Sequence, residues 1–203
     1  MRPLLITDCD EVLVHMVRHF RDWLDERHAI DFVIGAGGFA DSMRRRDGAP
    51  PPSEAEMWRL LDGFFPAEMG RQTLVPGAGE ALAALAEQAE IVILTNLTDA
   101  CHAARVEQLA AFGIPHRVVC NQGGKGKPVA ALVAEYGAPV TVFVDDLAVH
   151  HASVAEHAPA VHRLHMVSEP ELAAAMPPAP AAHARIDDWG AARAWIEARF
   201  RGE

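Results

Sequence analysis

Apolar and polar positions change period several times along this chain, and the changes mark its elements. Leu4-Leu5-Ile6 is a short apolar run that ends at Thr7-Asp8-Cys9-Asp10, which predicts a buried strand closed by two aspartates. From Val12 the spacing turns helical, with Val12, Leu13, Met16, Val17, Phe20, Trp23 and Leu24 apolar and Arg18, Arg21, Asp22 and Asp25 between them. This predicts a helix that starts almost at once after the aspartates. Residues 31–52 lose the pattern and carry Gly35, Gly37, Gly38, Gly48 and Pro50-Pro51-Pro52, which is loop chemistry. Ser53 is an N-cap with Glu54 and Glu56 in the following turn. Met57, Leu60, Leu61, Phe64 and Phe65 make that helix's apolar face, with Trp58 as a further candidate. Residues 13–76 are therefore predicted as a helical unit with no strand.

Beyond Val75-Pro76-Gly77 strands and helices alternate. Ile91-Val92-Ile93-Leu94 ends at Thr95-Asn96, Arg117-Val118-Val119-Cys120 precedes a glycine-rich loop with Lys125 and Lys127, and Val140-Thr141-Val142-Phe143-Val144 ends at Asp145-Asp146. Helices are predicted over residues 78–88, 99–112, 128–136 and 147–157, weaker strands over 161–167 and 183–187, and a closing helix over 188–201. Such alternation predicts an α/β protein, a Rossmann-like three-layer core with a mainly parallel sheet. The core takes residues 1–12 and 77–203. The insertion at 13–76 comes directly after the first strand, as a small helical cap above the strand ends.

Composition narrows the class. The formal net charge is −10 over 203 residues, which argues against nucleic acid or an anionic membrane as partner. Arg44-Arg45-Arg46 reads as a solvated loop. Three scattered cysteines without a CxxC pair indicate a reducing compartment. With no apolar stretch of membrane-spanning length and no signal-peptide pattern, the expected location is the cytoplasm.

Each strong strand delivers a polar group at its carboxyl end, where ligands of parallel sheets bind. In order these are Asp8 and Asp10, Thr95 and Asn96, Lys125 or Lys127, and Asp145-Asp146. Any one has a structural explanation as a cap or a solvated loop residue. Two carboxylates one residue apart call for a positive partner, and a hard divalent cation such as Mg²⁺ takes oxygen ligands.

The four groups in this order resemble the haloacid dehalogenase superfamily of phosphohydrolases. Asp8-Cys9-Asp10-Glu11-Val12 matches its DxDx(T/V) motif, Thr95 its second-motif Ser/Thr, Lys125 or Lys127 its lysine, and Asp145-Asp146 its acidic motif in the DD form. The resemblance implies hydrolysis of a small phosphorylated metabolite through an aspartyl-phosphate. Asp8 is the implied nucleophile, Asp10 the acid and base, and Thr95, Asn96 and the lysine the phosphate binders. The implied Mg²⁺ ligands are Asp8, the Asp10 backbone carbonyl and Asp146, with Asp145 as a further ligand or as a partner supporting them. Lys127 precedes Pro128, a common form of the motif, whereas Lys125 gives the more usual distance to Gly137; Lys125 is preferred. A phosphotransferase or phosphomutase, or a non-catalytic binding protein of the same fold, are the alternatives. Asp10 argues for phosphoryl transfer over carbon–halogen cleavage, because the superfamily's dehalogenases lack a carboxylate there. The acid often found shortly after the fourth motif is replaced by His150 and His151, which leaves Asp145 to support the metal.

Three further features fit other chemistry less well. Gly35-Ala36-Gly37-Gly38-Phe39-Ala40 matches GxGxxA, but a dinucleotide site needs a helix and a second parallel strand after it, and three prolines stand there instead. His150, His151, His157, His162 and His165 show no convergent zinc spacing and are expected at the surface or at strand edges. Cys9 is a small buried filler.

Overall fold

In the computed structural model, which describes residues 1–34 and 39–203, strand β1 (Leu4–Thr7) lies at the centre of a six-stranded parallel sheet. The other strands are β4 (Glu90–Thr95), β5 (Arg117–Cys120), β6 (Thr141–Asp145), β7 (His162–His165) and β8 (Ala184–Arg185), in the order β5-β4-β1-β6-β7-β8. Two more strands, β2 (Ile30–Phe32) and β3 (Met43–Arg45), form a separate antiparallel hairpin. The helices are α1 (Val17–His28), α2 (Glu54–Glu68), α3 (Ala78–Ala86), α4 (His102–Ala111), α5 (Gly126–Tyr136), α6 (Ala148–His157), α7 (Pro170–Ala175) and α8 (Trp189–Arg201).

Strand alternation explains the layers. Leu5, Ile91, Ile93, Val142 and Val144 point to one face and pack with Leu82, Leu109, Trp189 and Ile196. Their neighbours Leu4, Ile6, Val92, Leu94 and Phe143 point to the other and pack with Val129, Leu132 and Val154. Successive strand side chains alternate between faces, so strands that are apolar at every position need helices on both sides. The chain pairs β4 to one edge of β1 and later returns to pair β6 to the other. That reversal opens a crevice at the carboxyl end of β1.

The insertion has its own apolar cluster, with Val17, Phe20, Trp23, Leu24, Ile30, Phe32, Met43, Met57 and Phe64 buried. Its two connections pair with each other: the His15 amide donates to Thr73 O at 2.9 Å and the Val75 amide to Leu13 O at 2.8 Å. Among the described residues, no helix is long and apolar enough to cross a membrane.

Four sequence expectations change. The helix after the aspartates starts only at Val17, because Cys9 O takes the amides of Leu13 and Val14 at 2.7 and 3.0 Å and turns the chain first. Glu11 sits in this turn at φ 59°, and its Oε1 accepts the Met16 and Val17 amides at 2.7 and 2.6 Å, which fixes where the helix begins. The insertion also contains the β2–β3 hairpin; three-residue strands are too short for their buried–exposed–buried alternation to stand out from helical spacing. Arg44 and Arg45 belong to that hairpin, and Arg45 and Arg46 pair with Glu56 and Asp31 at 2.9 and 2.7 Å. Trp58 is exposed. The glycines of the GxGxxA stretch lie outside the described residues. The elements after them are a three-residue 3₁₀ turn and an antiparallel strand, without the helix and parallel strand a dinucleotide site requires. The Ser53 cap forms as a capping box, with the Ser53 amide on Glu56 Oε2 at 2.9 Å and the Glu56 amide on Ser53 Oγ at 3.3 Å.

Phe20 meets the rings of Trp23, Phe32, Phe39 and Phe64 with centroids 5.3–6.0 Å apart. Phe20→Ala is expected to destabilise the insertion by about 3–5 kcal/mol. Hydrogen exchange should then show α1 and α2 unprotected while β1, β4 and β6 keep their protection; uniform loss across the sheet would contradict a separately packed insertion.

Candidate active site

The groups at the strand ends arrive by different local routes. Asp8 comes directly after β1, and its Oδ1 is already taken by the amide of Cys9 at 2.7 Å. Thr95 closes β4 and is 1% exposed, with a hydroxyl that has no hydrogen-bond partner among the described residues. Lys125 stands at the N-terminal cap position of α5 and is fully buried. Asp145 ends β6, and Asp146 begins the turn into α6.

Lys125 Nζ lies 2.8 Å from Asp8 Oδ1 and 2.7 Å from Asp145 Oδ2. Burial alone would lower the pKa of this ammonium, but Asp145 and Asp8 outweigh it and hold the group charged. Lys127, two residues on, is exposed. The other Asp145 oxygen accepts the Leu147 amide at 2.9 Å, so that carboxylate is committed to the lysine and to the turn. Ligand atoms of Asp8, Asp145 and Asp146 all lie within 4.8 Å of one another.

Charge balance tests whether a metal fits here. Three carboxylates against one ammonium leave two negative charges in excess. Burial, and then Asp145, push the Asp8 carboxyl up to about 7 against the lowering pull of Lys125. Burial, with Asp145 and Asp8 beside it, holds Asp146 well above the ordinary carboxylate range. An all-oxygen set with two charges to spare matches a hard divalent cation. Asp8 and Asp146 are the carboxylates best placed to hold it.

Asp10 goes elsewhere. Its carboxylate receives Nη2 of Arg105 on both oxygens, at 2.9 and 3.0 Å, and Nε2 of Gln72 on Oδ1 at 3.0 Å. Neither partner was among the sequence candidates. Arg105 occupies the inward face of α4 with Gln108 and Leu109; an arginine four residues before a core leucine in an alanine-rich helix was the available signal. Asn96, a sequence candidate for phosphate binding, has its amide on the Gly123 carbonyl at 3.0 Å and its oxygen on Asn121 at 2.9 Å. It ties the β4 end to the loop that delivers Lys125.

Three histidines expected at the surface or strand edges are buried, and two of them, His151 and His165, brace the Asp145–Asp146 turn. His165 Nδ1 accepts the Ala179 amide at 2.9 Å, which puts its proton on Nε2, 2.8 Å from Asp146 O. His151 Nε2 lies 3.0 Å from Asp145 O, and burial lowers its pKa to about 4, so the ring is neutral. His150 Nε2 is 3.3 Å from the Asn96 amide. Among the described residues, no histidine belongs to a group that could hold a metal.

Two cavities of about 480 and 400 Å³ lie beside the insertion, one by Arg21, Val33 and Glu171, the other by Trp23, Arg45 and Arg59. None of the strand-end groups lines either, and Asp8, Thr95 and Lys125 are covered.

No protein-family model matches the sequence, and no curated protein does. Solved structures do match over nearly the whole chain. A haloacid dehalogenase-like hydrolase from Burkholderia xenovorans superposes with a TM-score of 0.64 at 16% identity, covering 98% of each chain. The chain has the haloacid dehalogenase-like fold. A Thermotoga maritima protein named as a β-phosphoglucomutase shares that fold with a TM-score of 0.63 at 14% identity, over 96% of this chain and 99% of its own. So does the D,D-heptose 1,7-bisphosphate phosphatase of B. bronchiseptica, complexed with magnesium and phosphate, with a TM-score of 0.58 at 13% identity over 98% and 99%.

The raised Asp8 pKa has a measurable consequence. Between its ordinary value of 3.8 and about 7, the folded protein holds a proton that the unfolded chain has lost. Stability from this group is therefore full below that window and is lost as pH rises through it. In chelator, Asp8→Asn is expected to match the wild type near about pH 4 and to be the more stable of the two near about pH 8. Mg²⁺ should raise the wild-type urea midpoint at the higher pH far more than that of the variant. A metal-free wild type more stable than Asp8→Asn at the higher pH would contradict the excess-charge account.

Proposed function

We propose that this chain is a Mg²⁺-dependent phosphomonoesterase of the haloacid dehalogenase superfamily, acting on a small phosphorylated metabolite through an aspartyl-phosphate on Asp8. The observation that carries the reading is the buried meeting of Asp8 with Lys125, next to two further carboxylates and an unpartnered Thr95 hydroxyl. The magnesium- and phosphate-bound heptose bisphosphate phosphatase of the same fold supports it.

Asp8 uses one oxygen for Cys9 N and Lys125, which leaves Oδ2 to attack phosphorus in line. Lys125, fully buried, offsets negative charge on the nucleophile and on the transferring phosphoryl group. Thr95 Oγ1, buried without a partner, donates to a phosphoryl oxygen, with Asn96 beside it holding the loop. Asp10 protonates the leaving oxygen and then draws the proton from the water that hydrolyses the intermediate. Asp8, Asp146 and the Asp10 backbone carbonyl would hold Mg²⁺, with Asp145 steadying Lys125 beside it. When bound, the cation withdraws charge from the phosphoryl oxygens.

A second reading keeps the first half of this chemistry and replaces water by an alcohol, as in a phosphotransferase or mutase. The burial of Asp8, Thr95 and Lys125 and the likeness to the Thermotoga protein favour it. Phosphate captured by an added sugar or alcohol, in preference to release as inorganic phosphate, separates the two. A non-catalytic binding role would leave the buried Thr95 hydroxyl and the Lys125 ion pairs without a task; saturable partner binding with no turnover across a panel of phosphate esters would favour it.

Two outcomes are expected with an aryl phosphate and Mg²⁺. Asp8→Asn should lose all turnover, and surviving activity would sink the mechanism. Lys125→Ala should fall at least about a hundredfold while Lys127→Ala stays near normal. The reverse order would transfer the role to Lys127.

A further inference from the structure

Arg105 is the largest charged side chain that the fold buries completely. Its Nη2 holds both oxygens of Asp10 at 2.9 and 3.0 Å. Its Nη1 donates to Gln108 Oε1 at 3.0 Å and to Cys9 Sγ at 3.1 Å. Among the described residues, Asp10 is the one carboxylate in ion-pair range of this guanidinium. The same carboxylate also accepts Gln72 Nε2, from the segment that returns from the insertion. Gln108 donates to Met69 O and, at 3.4 Å, to Gln72 Oε1. Arg105 also stacks over Phe65 of α2, with its guanidinium carbon 6.0 Å from the ring centroid. One helix of the core thus grips both the second aspartate and the root of the cap.

We propose that Arg105 is a positioning residue for the hydrolytic half-reaction. It fixes Asp10 with Oδ2 open to take a proton from the attacking water, and through Gln72 and Gln108 it makes this alignment depend on the cap being seated. The inference rests on the phosphoryl-transfer reading above.

Two physical constraints lead to it. A buried guanidinium stripped of its partner is an uncompensated charge and strongly destabilising, so Asp10 works while still held, without swinging away from Arg105. Each carboxylate oxygen offers two acceptor positions. Oδ1 has both filled, by Arg105 and Gln72, whereas Oδ2 has one described donor, Arg105. Oδ2 is thus the oxygen that receives the proton. In the step itself, the water oxygen bonds to phosphorus, the bond from phosphorus to the Asp8 oxygen breaks, and its electron pair returns to the Asp8 carboxylate. The water proton passes to Asp10 Oδ2, and inorganic phosphate departs.

The test uses the full chain with p-nitrophenyl phosphate and Mg²⁺ in rapid-quench kinetics. This leaving group departs as a stable anion and needs no proton, so the first half-reaction is insulated from Asp10. Arg105→Met is expected to give a burst close to one nitrophenolate per protein and a steady-state rate at least about tenfold below wild type, within the roughly 10²–10⁴ that acid–base catalysis supplies. Arg105→Lys, which keeps the charge but loses the planar guanidinium fork that also reaches Gln108 and Cys9, should burst as well with a smaller loss. Arg105→Met combined with Asp10→Asn removes both charges together and should be no slower than Asp10→Asn alone. If the single Met variant does not fold, the Lys variant and the double variant supply the readout. A slowed rate without a burst, an unchanged steady-state rate, or a double variant far below Asp10→Asn would each overturn the assignment. Absence of wild-type turnover is seen before any substitution is made; it would overturn the phosphoryl-transfer reading, and this assignment with it.

Discussion

The buried ammonium of Lys125, held between Asp8 and Asp145 at 2.8 and 2.7 Å, is the interaction on which the rest of this site depends. Three carboxylates packed at one end of a parallel sheet repel one another. Without the lysine, burial would leave them protonated or would force the strand ends apart. With it, Asp8 and Asp145 share one cation while Asp146 has none, and burial still holds the Asp8 and Asp146 carboxyls above their ordinary range, an imbalance that a divalent cation would relieve. The sheet makes this arrangement inexpensive to build, because parallel pairing of β1 with β4 and β6 brings their carboxyl ends together whatever the side chains are. The backbone bonds from His151 and His165 to the Asp145 and Asp146 carbonyls then hold the acidic turn against that repulsion.

Asp10 belongs to a second network with a different logic. Its ion pair with Arg105 lies where the core meets the inserted unit, and Gln72 and Gln108 extend it into the connection that carries the cap. Glu11 does similar work one residue later, with its carboxylate on the first amides of α1. Arg18 pairs with Glu169 at 2.7 Å and Arg21 with Glu171 at 2.8 Å, which join that helix to α7 on the core side. The insertion is therefore fastened at its root beside Asp10 and again along its first helix.

Much of the fold was legible because the core strands are apolar at every position and end in polar residues. Ile91 to Thr95 and Val140 to Asp146 announce both their burial and their carboxyl ends. The strand-end groups were legible for the same reason: a parallel sheet converts sequence order into spatial convergence. Between Lys125 and Lys127 the distance to Gly137 favoured Lys125 while the Lys127-Pro128 pair pulled the other way, and the start of α5 is what buries Lys125. Arg105 and Gln72 escaped because they reach Asp10 across 95 and 62 residues, and no local period encodes such a pair. The β2–β3 hairpin escaped because three residues are too few to separate alternation from helical spacing. The burial of His151 and His165 reflects bonds to backbone carbonyls, which leave no mark in side-chain spacing.

The proposed mechanism puts a covalent bond between Asp8 and phosphorus. Acid quenching during turnover of a phosphate ester, followed by borohydride reduction and peptide mass analysis, reads this directly, because an aspartyl-phosphate is reduced to homoserine while a free carboxylate is untouched. Homoserine is expected at position 8 and at no other aspartate, accumulating further when Arg105 is replaced. Turnover that leaves position 8 as unreduced aspartate, or homoserine formed at Asp10, Asp145 or Asp146, would contradict it.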